Sequence, residues 1–405
     1  MTKITINRLG HKGDGMADGS VLVPLTLPGE IVEGDIHEGR IDAPRILTPS
    51  ADRVKAPCAH FRQCGGCALQ HASDDFLARW KQHVVETALT AQGLTTRFRP
   101  IHISPPRSRR RATLAGTRTK KGALVGFHAR RSDTIVPITD CHVLHPDLIS
   151  VLPTLAEITR LGGSRSATLA FALTVSPDGI DCAVTGGKPL DEALRMVLPQ
   201  FVGQFARMTW GDDTVFIETP PAHRMGKATV VPPPGAFLQA TPDGEAALVA
   251  AMVEATEGAK QIVDLFSGSG TFTFPLADTA AVHAVEGDRA MIAALDHGMR
   301  FATGIKKVTT EVRDLFRRPL MGDDLAPYDA AVIDPPRAGA EAQVVELAAA
   351  GPPKIGFVSC NPVTFARDAK TLTQAGYSLD WVQVVDQFRW SPHVELAAQF
   401  TRPHM

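Results

Sequence analysis

The chain has 405 residues, 44% of them hydrophobic and 21% charged, with a formal net charge of −1. That length exceeds one ordinary domain and supplies apolar residues for several cores. Near-neutral charge excludes a globally polycationic nucleic-acid binder but leaves room for a local basic patch. No apolar run approaches the roughly 18 residues of a membrane span, and the N-terminus lacks a signal-peptide core. A cytoplasmic protein with reduced thiols is therefore expected. Its six cysteines, at 58, 64, 67, 141, 182 and 360, then point to metal binding rather than disulfides.

Residues 1–50 read as short strands separated by glycines (KITINRL, SVLVPL, GEIVEGDIHEGRI). This spacing predicts a small β-barrel of the size used by compact nucleic-acid-binding modules, or another small β cap. A Pro/Ser/Asp linker follows, and residues 51–235 are expected to form a central domain. Its first feature is CAHFRQCGGCALQH, in which Cys58, Cys64 and Cys67 have the spacing C-x5-C-x2-C. Gly65 and Gly66 allow a tight wrap, and Cys141 in PITDCHVL is the natural fourth ligand. Four thiolates suit either tetrahedral zinc or a [4Fe–4S] cluster, and spacing leaves both open. Cys182, in the alternating segment GIDCAV, reads as a core strand residue. A helix is expected from about Ser73, which supplies its N-cap.

Residues 97–145 read as hairpins. From Arg97 to Arg131 there are 11 Arg or Lys and no Asp or Glu. A solvated face normally mixes signs, so this run points to phosphate contacts. The stretch VVPPPGAFLQAT, 230–241, marks the next boundary.

From about residue 243 apolar strands alternate with helical segments, which predicts a doubly wound α/β sheet over residues 236–405. VDLFSGSGTF places Gly268 and Gly270 after the first strand, where glycine lets backbone approach a ligand. The next strand ends on Glu286, a carboxylate placed to accept from both ribose hydroxyls. Asp314 follows a third strand and Asp334 a fourth. Together these exits point to an adenosine-type cofactor, against a structural glycine turn. Asp334 lies in DPPR, and N-methylating enzymes carry an aromatic where Arg337 stands here.

Cys360, in KIGFVSCNP, follows the fifth strand. Uracil C5 is a poor nucleophile until a thiolate adds at C6 and converts the ring into an enolate. The C5 proton must then leave so that the thiol can be eliminated. Glu395 in SPHVELAAQF is the expected base. His393, two residues earlier, would share its face in a strand and reads as a hydrogen-bonded structural residue.

These motifs together resemble the RNA uracil-C5 methyltransferases, in particular their iron–sulfur branch, which modifies 23S ribosomal RNA. The resemblance runs from Cys58 to the C-terminus and includes a short TRAM-like segment at the N-terminus. It implies a class I (Rossmann-like) S-adenosylmethionine-dependent methyltransferase domain, and a [4Fe–4S] cluster held by Cys58, Cys64, Cys67 and Cys141. Gln239 in FLQ, Phe266, Gly268, Gly270, Thr271, Glu286, Asp314 and Asp334 would line the S-adenosylmethionine site. Cys360 would be the nucleophile and Glu395 the proton acceptor. The implied partner is RNA, 23S rRNA above all, with its target uridine flipped from a loop, and a monomeric enzyme without membrane contact is expected. Transfer-RNA uracil methylation, cytosine-C5 methylation and a cluster-stabilised RNA-binding protein without catalysis are the rival readings.

Overall fold

The computed structural model describes residues 2–403. In its C-terminal half, strands β1 (Gln261–Leu265), β2 (Ala281–Glu286), β3 (Val308–Val312), β4 (Ala330–Ile333), β5 (Lys354–Ser359), β6 (Ser378–Asp386) and β7 (Leu396–Thr401) form one sheet. Their order is β3-β2-β1-β4-β5-β7-β6. The first five are parallel, and β7 runs antiparallel between β5 and β6. The central strand β4 (AAVI) is wholly apolar because both its faces are covered, whereas the edge strand β3 (VTTEV) carries polar residues. Alternation divides the apolar residues: Val263, Leu265, Phe357 and Phe400 enter one core, while Ile262, Val282, Val332 and Val358 enter the other. The strand order reverses at β1 and β4, so a crevice opens at their carboxyl ends, where ligands bind in such sheets.

The central domain is a seven-stranded sheet from Arg111–Arg118 to Asp213–Ile217, with the helix Leu152–Gly162 packed on it. Cys182 is fully buried there, in the strand Gly179–Thr185. The N-terminal segment forms two separate three-stranded antiparallel sheets around Ile6, Val23, Val32 and Ile41, rather than the single closed sheet of a barrel. Among the described residues no helix is long and apolar enough to cross a membrane.

The domain boundaries differ from those expected. The helix Asp74–Ala91 starts as predicted, with Ser73 Oγ accepting from Phe76 N at 3.2 Å. Its Val85 and Leu89, however, are buried in the core of the C-terminal sheet with Phe365 and Val382. Arg97–Phe98 and His102–Ile103 pair in parallel with β6 and extend that sheet instead of forming hairpins. The hairpin His223–Met225/Ala228–Val230 joins the other core of that sheet, with Ile262 and Val332. Long-range packing of apolar residues, not chain continuity, decides these assignments.

Candidate active site

The predicted residues converge at the carboxyl ends of the strands. Phe266, directly after β1, adopts φ +61°, a left-handed conformation unusual for a bulky residue. Its ring lies 5.4 Å from that of Phe316, and the pair forms an aromatic wall beside Asp314. The loop continues through Gly268, Ser269, Gly270 and Thr271. At Gly270 (φ +104°) a Cβ would sit 2.7 Å from the Phe274 ring, so glycine is required by space as well as conformation. Glu286, at the end of β2, accepts from Gly268 N at 3.0 Å and Asp288 N at 2.9 Å, which fixes its carboxylate against the glycine loop. Asp314 accepts from Phe316 N at 3.0 Å and closes a turn after β3. Below them Asp264, fully buried, accepts from Thr273 Oγ1 at 2.6 Å. Its other oxygen and the hydroxyls of Ser267 and Ser269 are buried without protein partners.

Cys360 stands at the exit of β5. Asn361 caps the following helix Pro362–Gln374 through Val363 N at 3.1 Å and donates to Arg337 O at 2.9 Å. Burial pushes the Cys360 thiol up to about 11, the carboxyl groups of Glu395 and Asp334 push the same way, and Arg337 opposes them. Glu395 is buried and held well above the ordinary carboxylate range by desolvation first and by Asp334 second. Asp334 is raised to about 7 by burial and by Asp264. Burial and the neighbouring carboxyl groups thus both work against ionising Cys360 and Glu395. A positive charge brought among them would favour the ionised form of each, as Arg337 already does.

Glu395 precedes β7 rather than lying in it, so it does not share a strand face with His393 as expected. His393 is exposed, approached by Arg337 Nη2 at 3.4 Å and edge-on to Phe388. Gln239 is buried, and its Nε2 lies 3.3 Å from Asp334 Oδ2. The segment 238–240 that carries it is gripped by Arg111 Nη1 on Leu238 O at 2.6 Å, Arg110 Nε on Gln239 O at 3.1 Å and Arg110 N on Ala240 O at 3.0 Å. Arg110 also pairs with Glu245.

The basic run therefore serves the fold more than a solvated phosphate-binding face. Arg99 pairs with Glu254 and lies over Trp381, Arg107 pairs with Asp140, and Arg131 pairs with Asp14. Arg97 and the hairpin-tip residues Arg118, Lys120 and Lys121 are the exposed cations of this run for which no ion pair is found among the described residues. Sequence reasoning missed the acidic partners because they lie far along the chain.

Cys58, Cys64, Cys67 and Cys141 line one cavity of 560 Å³. Gly65 is required there, since a Cβ would sit 2.7 Å from His128 O. Burial raises the Cys64 and Cys141 thiols and takes Cys67 to about 12, and the neighbouring cysteines add to each shift. Arg109 and Arg130 line the same cavity. Arg130 Nη2 donates to Cys67 O at 2.5 Å, while its Nε is buried without a partner. Among the described residues no group of three or more His, Cys, Asp or Glu is arranged to hold a metal ion. The cysteine loop also touches the segment between β6 and β7 that carries Glu395: Ala68 N and Leu69 N both donate to Trp390 O, at 2.9 and 3.0 Å.

Sequence reasoning also missed Asp264, Lys81 and Gln387. Gln387 had a legible signal, because VVDQF places it at the exit of the sixth strand, as Asp334 and Cys360 stand at the fourth and fifth.

Sheet order and strand-exit residues together define a class I methyltransferase. The model of the tRNA (uracil-5-)-methyltransferase family matches residues 233–402. An RNA methyltransferase of Caulobacter vibrioides is 44% identical over 417 residues, covering 99% of this chain and all of that protein. The 23S rRNA (uracil(1939)-C(5))-methyltransferase RlmD of Thiobacillus denitrificans is 33% identical, with 98% of this chain and 99% of that one covered. Among solved structures, the Pyrococcus abyssi tRNA (uracil-54, C5)-methyltransferase in complex with S-adenosyl-L-homocysteine superposes with a TM-score of 0.76 at 25% identity, covering 98% and 99% of the two chains. The chain belongs to the RNA uracil-C5 methyltransferase family.

Proposed function

We propose that the chain methylates C5 of one uridine in 23S rRNA, with S-adenosylmethionine as methyl donor. The observation that carries the chemistry is Cys360 at the exit of β5, where Glu395 and Asp334 both act on its charge, with Asp334 at the exit of β4 between it and the glycine loop. The 33% identity to a 23S rRNA enzyme over nearly the whole of both chains favours ribosomal RNA.

The loop fits the cofactor. Glu286 retains acceptor capacity for ribose hydroxyls, Phe266 and Phe316 offer faces for an adenine, and the buried Ser267 and Ser269 hydroxyls lack protein partners. Bound there, S-adenosylmethionine would supply an electrophilic methyl group on a positively charged sulfur. Cys360, once deprotonated, forms a bond from Sγ to C6 of a uracil flipped out of its stack, and electron density moves to C5. After C5 carries the methyl group, Glu395 takes its proton. The C–H electron pair restores the C5–C6 double bond and expels the Cys360 thiolate. Asp334 and Arg337 border the reacting thiol and set its charge balance.

The reading extends to a [4Fe–4S] cluster at the cysteine cavity, supported by its lining and not by a metal-holding arrangement of the described residues. Four cysteines line that cavity together with the partly buried Arg109 and Arg130, and a cluster bound by four thiolates is anionic. Cys58, Cys64, Cys67 and Cys141 would hold it, and its contribution would be to tie the cysteine loop to the central sheet.

Mass spectrometry of ribosomal and transfer RNA from cells lacking this gene tests the reading. Loss of 5-methyluridine from 23S rRNA is expected. Loss from tRNA alone would move the substrate to the class named for the Pyrococcus neighbour, and unchanged 5-methyluridine everywhere overturns the proposal.

A further inference from the structure

The Gln387 side chain is 1% exposed, between Gln239 at 2% and Glu395 at 3%. A side-chain amide has one oxygen with two acceptor sites and one nitrogen with two donors. Gln387 uses all four. Its Oε1 accepts from Ala240 N at 2.7 Å and Thr241 N at 3.4 Å. Its Nε2 donates to Gln239 Oε1 at 2.6 Å and to Glu395 Oε2 at 3.3 Å.

This set fixes the direction of every bond in the chain. Backbone N–H groups can only donate, so the Gln387 oxygen must face Ala240 and Thr241, and its nitrogen must face Gln239 and Glu395. Gln239, whose oxygen is taken, must turn its nitrogen toward Asp334 Oδ2, 3.3 Å away. A flipped amide at either glutamine would set donor against donor. Gly244 leaves room for the arrangement, since a Cβ there would sit 2.8 Å from Cβ of Gln387.

We propose that Gln387 is a positioning residue for the proton-abstraction step, orienting the Glu395 carboxylate and, through Gln239, the Asp334 carboxyl from one amide anchored on the backbone of 240–241. The inference rests on reading Glu395 as the base and Cys360 as the nucleophile. An N–H aimed at a carboxylate favours its ionised form. Around Glu395 the other charged or titratable groups are Asp334 and Cys360, which favour the protonated form, and Arg337, which opposes it. Without the Gln387 donor the base holds its proton to higher pH. Addition of Cys360 to the ring needs no base at C5, so the defect falls on resolution of the covalent complex.

The test uses the full-length enzyme with S-adenosylmethionine and unmodified 23S rRNA transcript, following the covalent protein–RNA complex on denaturing gels after rapid quenching. Gln387→Met removes the amide. Gln387→Glu keeps an acceptor for Ala240 N and Thr241 N but removes both donors. Both variants should form the complex at close to the wild-type rate and resolve it at least about tenfold more slowly, with the acid limb of resolution moved to higher pH. Wild-type behaviour of Gln387→Glu overturns the inference, as does an equal loss of formation and resolution in both variants with an unmoved pH limb. If wild-type enzyme is not trapped by 5-fluorouridine-substituted transcript, the underlying assignment of Cys360 and Glu395 fails first and takes the inference with it.

Discussion

Lys81 and Asp386, 305 residues apart in the chain, form an ion pair of 2.5 Å with the lysine side chain wholly shielded from water. The same ammonium donates to Phe388 O at 3.0 Å, and Asp386 Oδ1 accepts from Phe388 N at 3.0 Å. This clamp closes the start of the loop that ends in Glu395. Burial works against the lysine charge and Asp386 restores part of it. Removing one partner of a buried pair leaves the other uncompensated, so Lys81→Met should cost about 3–5 kcal/mol. Lys81→Met/Asp386→Asn should cost less than the sum of the single changes, measured by urea unfolding. Strict additivity would show that the pair carries no coupling.

Cys360→Ala should retain cofactor binding by calorimetry, because the glycine loop and Glu286 are untouched. It should form no covalent complex with 5-fluorouridine RNA and show no methyl transfer. Complex formation by this variant would place the nucleophile elsewhere.

Asp264 supplies a pH prediction. Burial raises its carboxyl from 3.8 to about 7 in the folded protein. The folded state therefore binds more protons than the unfolded one between these values, and its stability falls as pH rises through 7. Asp334, raised in the same direction, adds to the slope. Asp264→Asn should flatten the fall in Tm between pH 5 and 8. A variant whose Tm falls as steeply as wild type would assign the pH dependence to other groups.

Most of the catalytic sheet could be read from the chain because its strands are short apolar runs ending in a polar residue, from Glu286 to Cys360. Cys360 and Glu395 were legible as a candidate nucleophile and base because uracil-C5 chemistry asks for a thiol and a carboxylate, and the fold brings the two close enough to act on each other's charge. What could not be read was pairing at long range. Nothing local marks Glu254 as the partner of Arg99 or Glu245 as that of Arg110, so a run of cations without neighbouring acids looked like an open binding face. Val85 and Leu89 likewise look like any amphipathic stripe until Phe365 and Val382 arrive to cover them. Gln387 escaped for another reason. Amides carry no charge, and only the fold shows that all four of its hydrogen-bonding positions are filled.

The cysteine cavity predicts a structural dependence. Anaerobically prepared protein should be brown, with a broad band near about 400 nm. Cys67→Ala should be colourless and unfold at lower temperature, as expected when a bound group contributes to folding. A colourless wild type containing zinc would replace the cluster with a single ion.

The buried position of the helix Asp74–Ala91 carries a consequence for biosynthesis. Its apolar face is covered by residues made some 300 positions later, among them Phe365 and Val382. At roughly 5–20 residues per second on the ribosome, Val85 and Leu89 wait on the order of tens of seconds for their cover. Throughout that interval the central sheet can fold while a sticky helix projects from it, with Lys81 charged and unclaimed. The nascent chain is thus a client for chaperone protection until the strand that ends in Asp386 emerges.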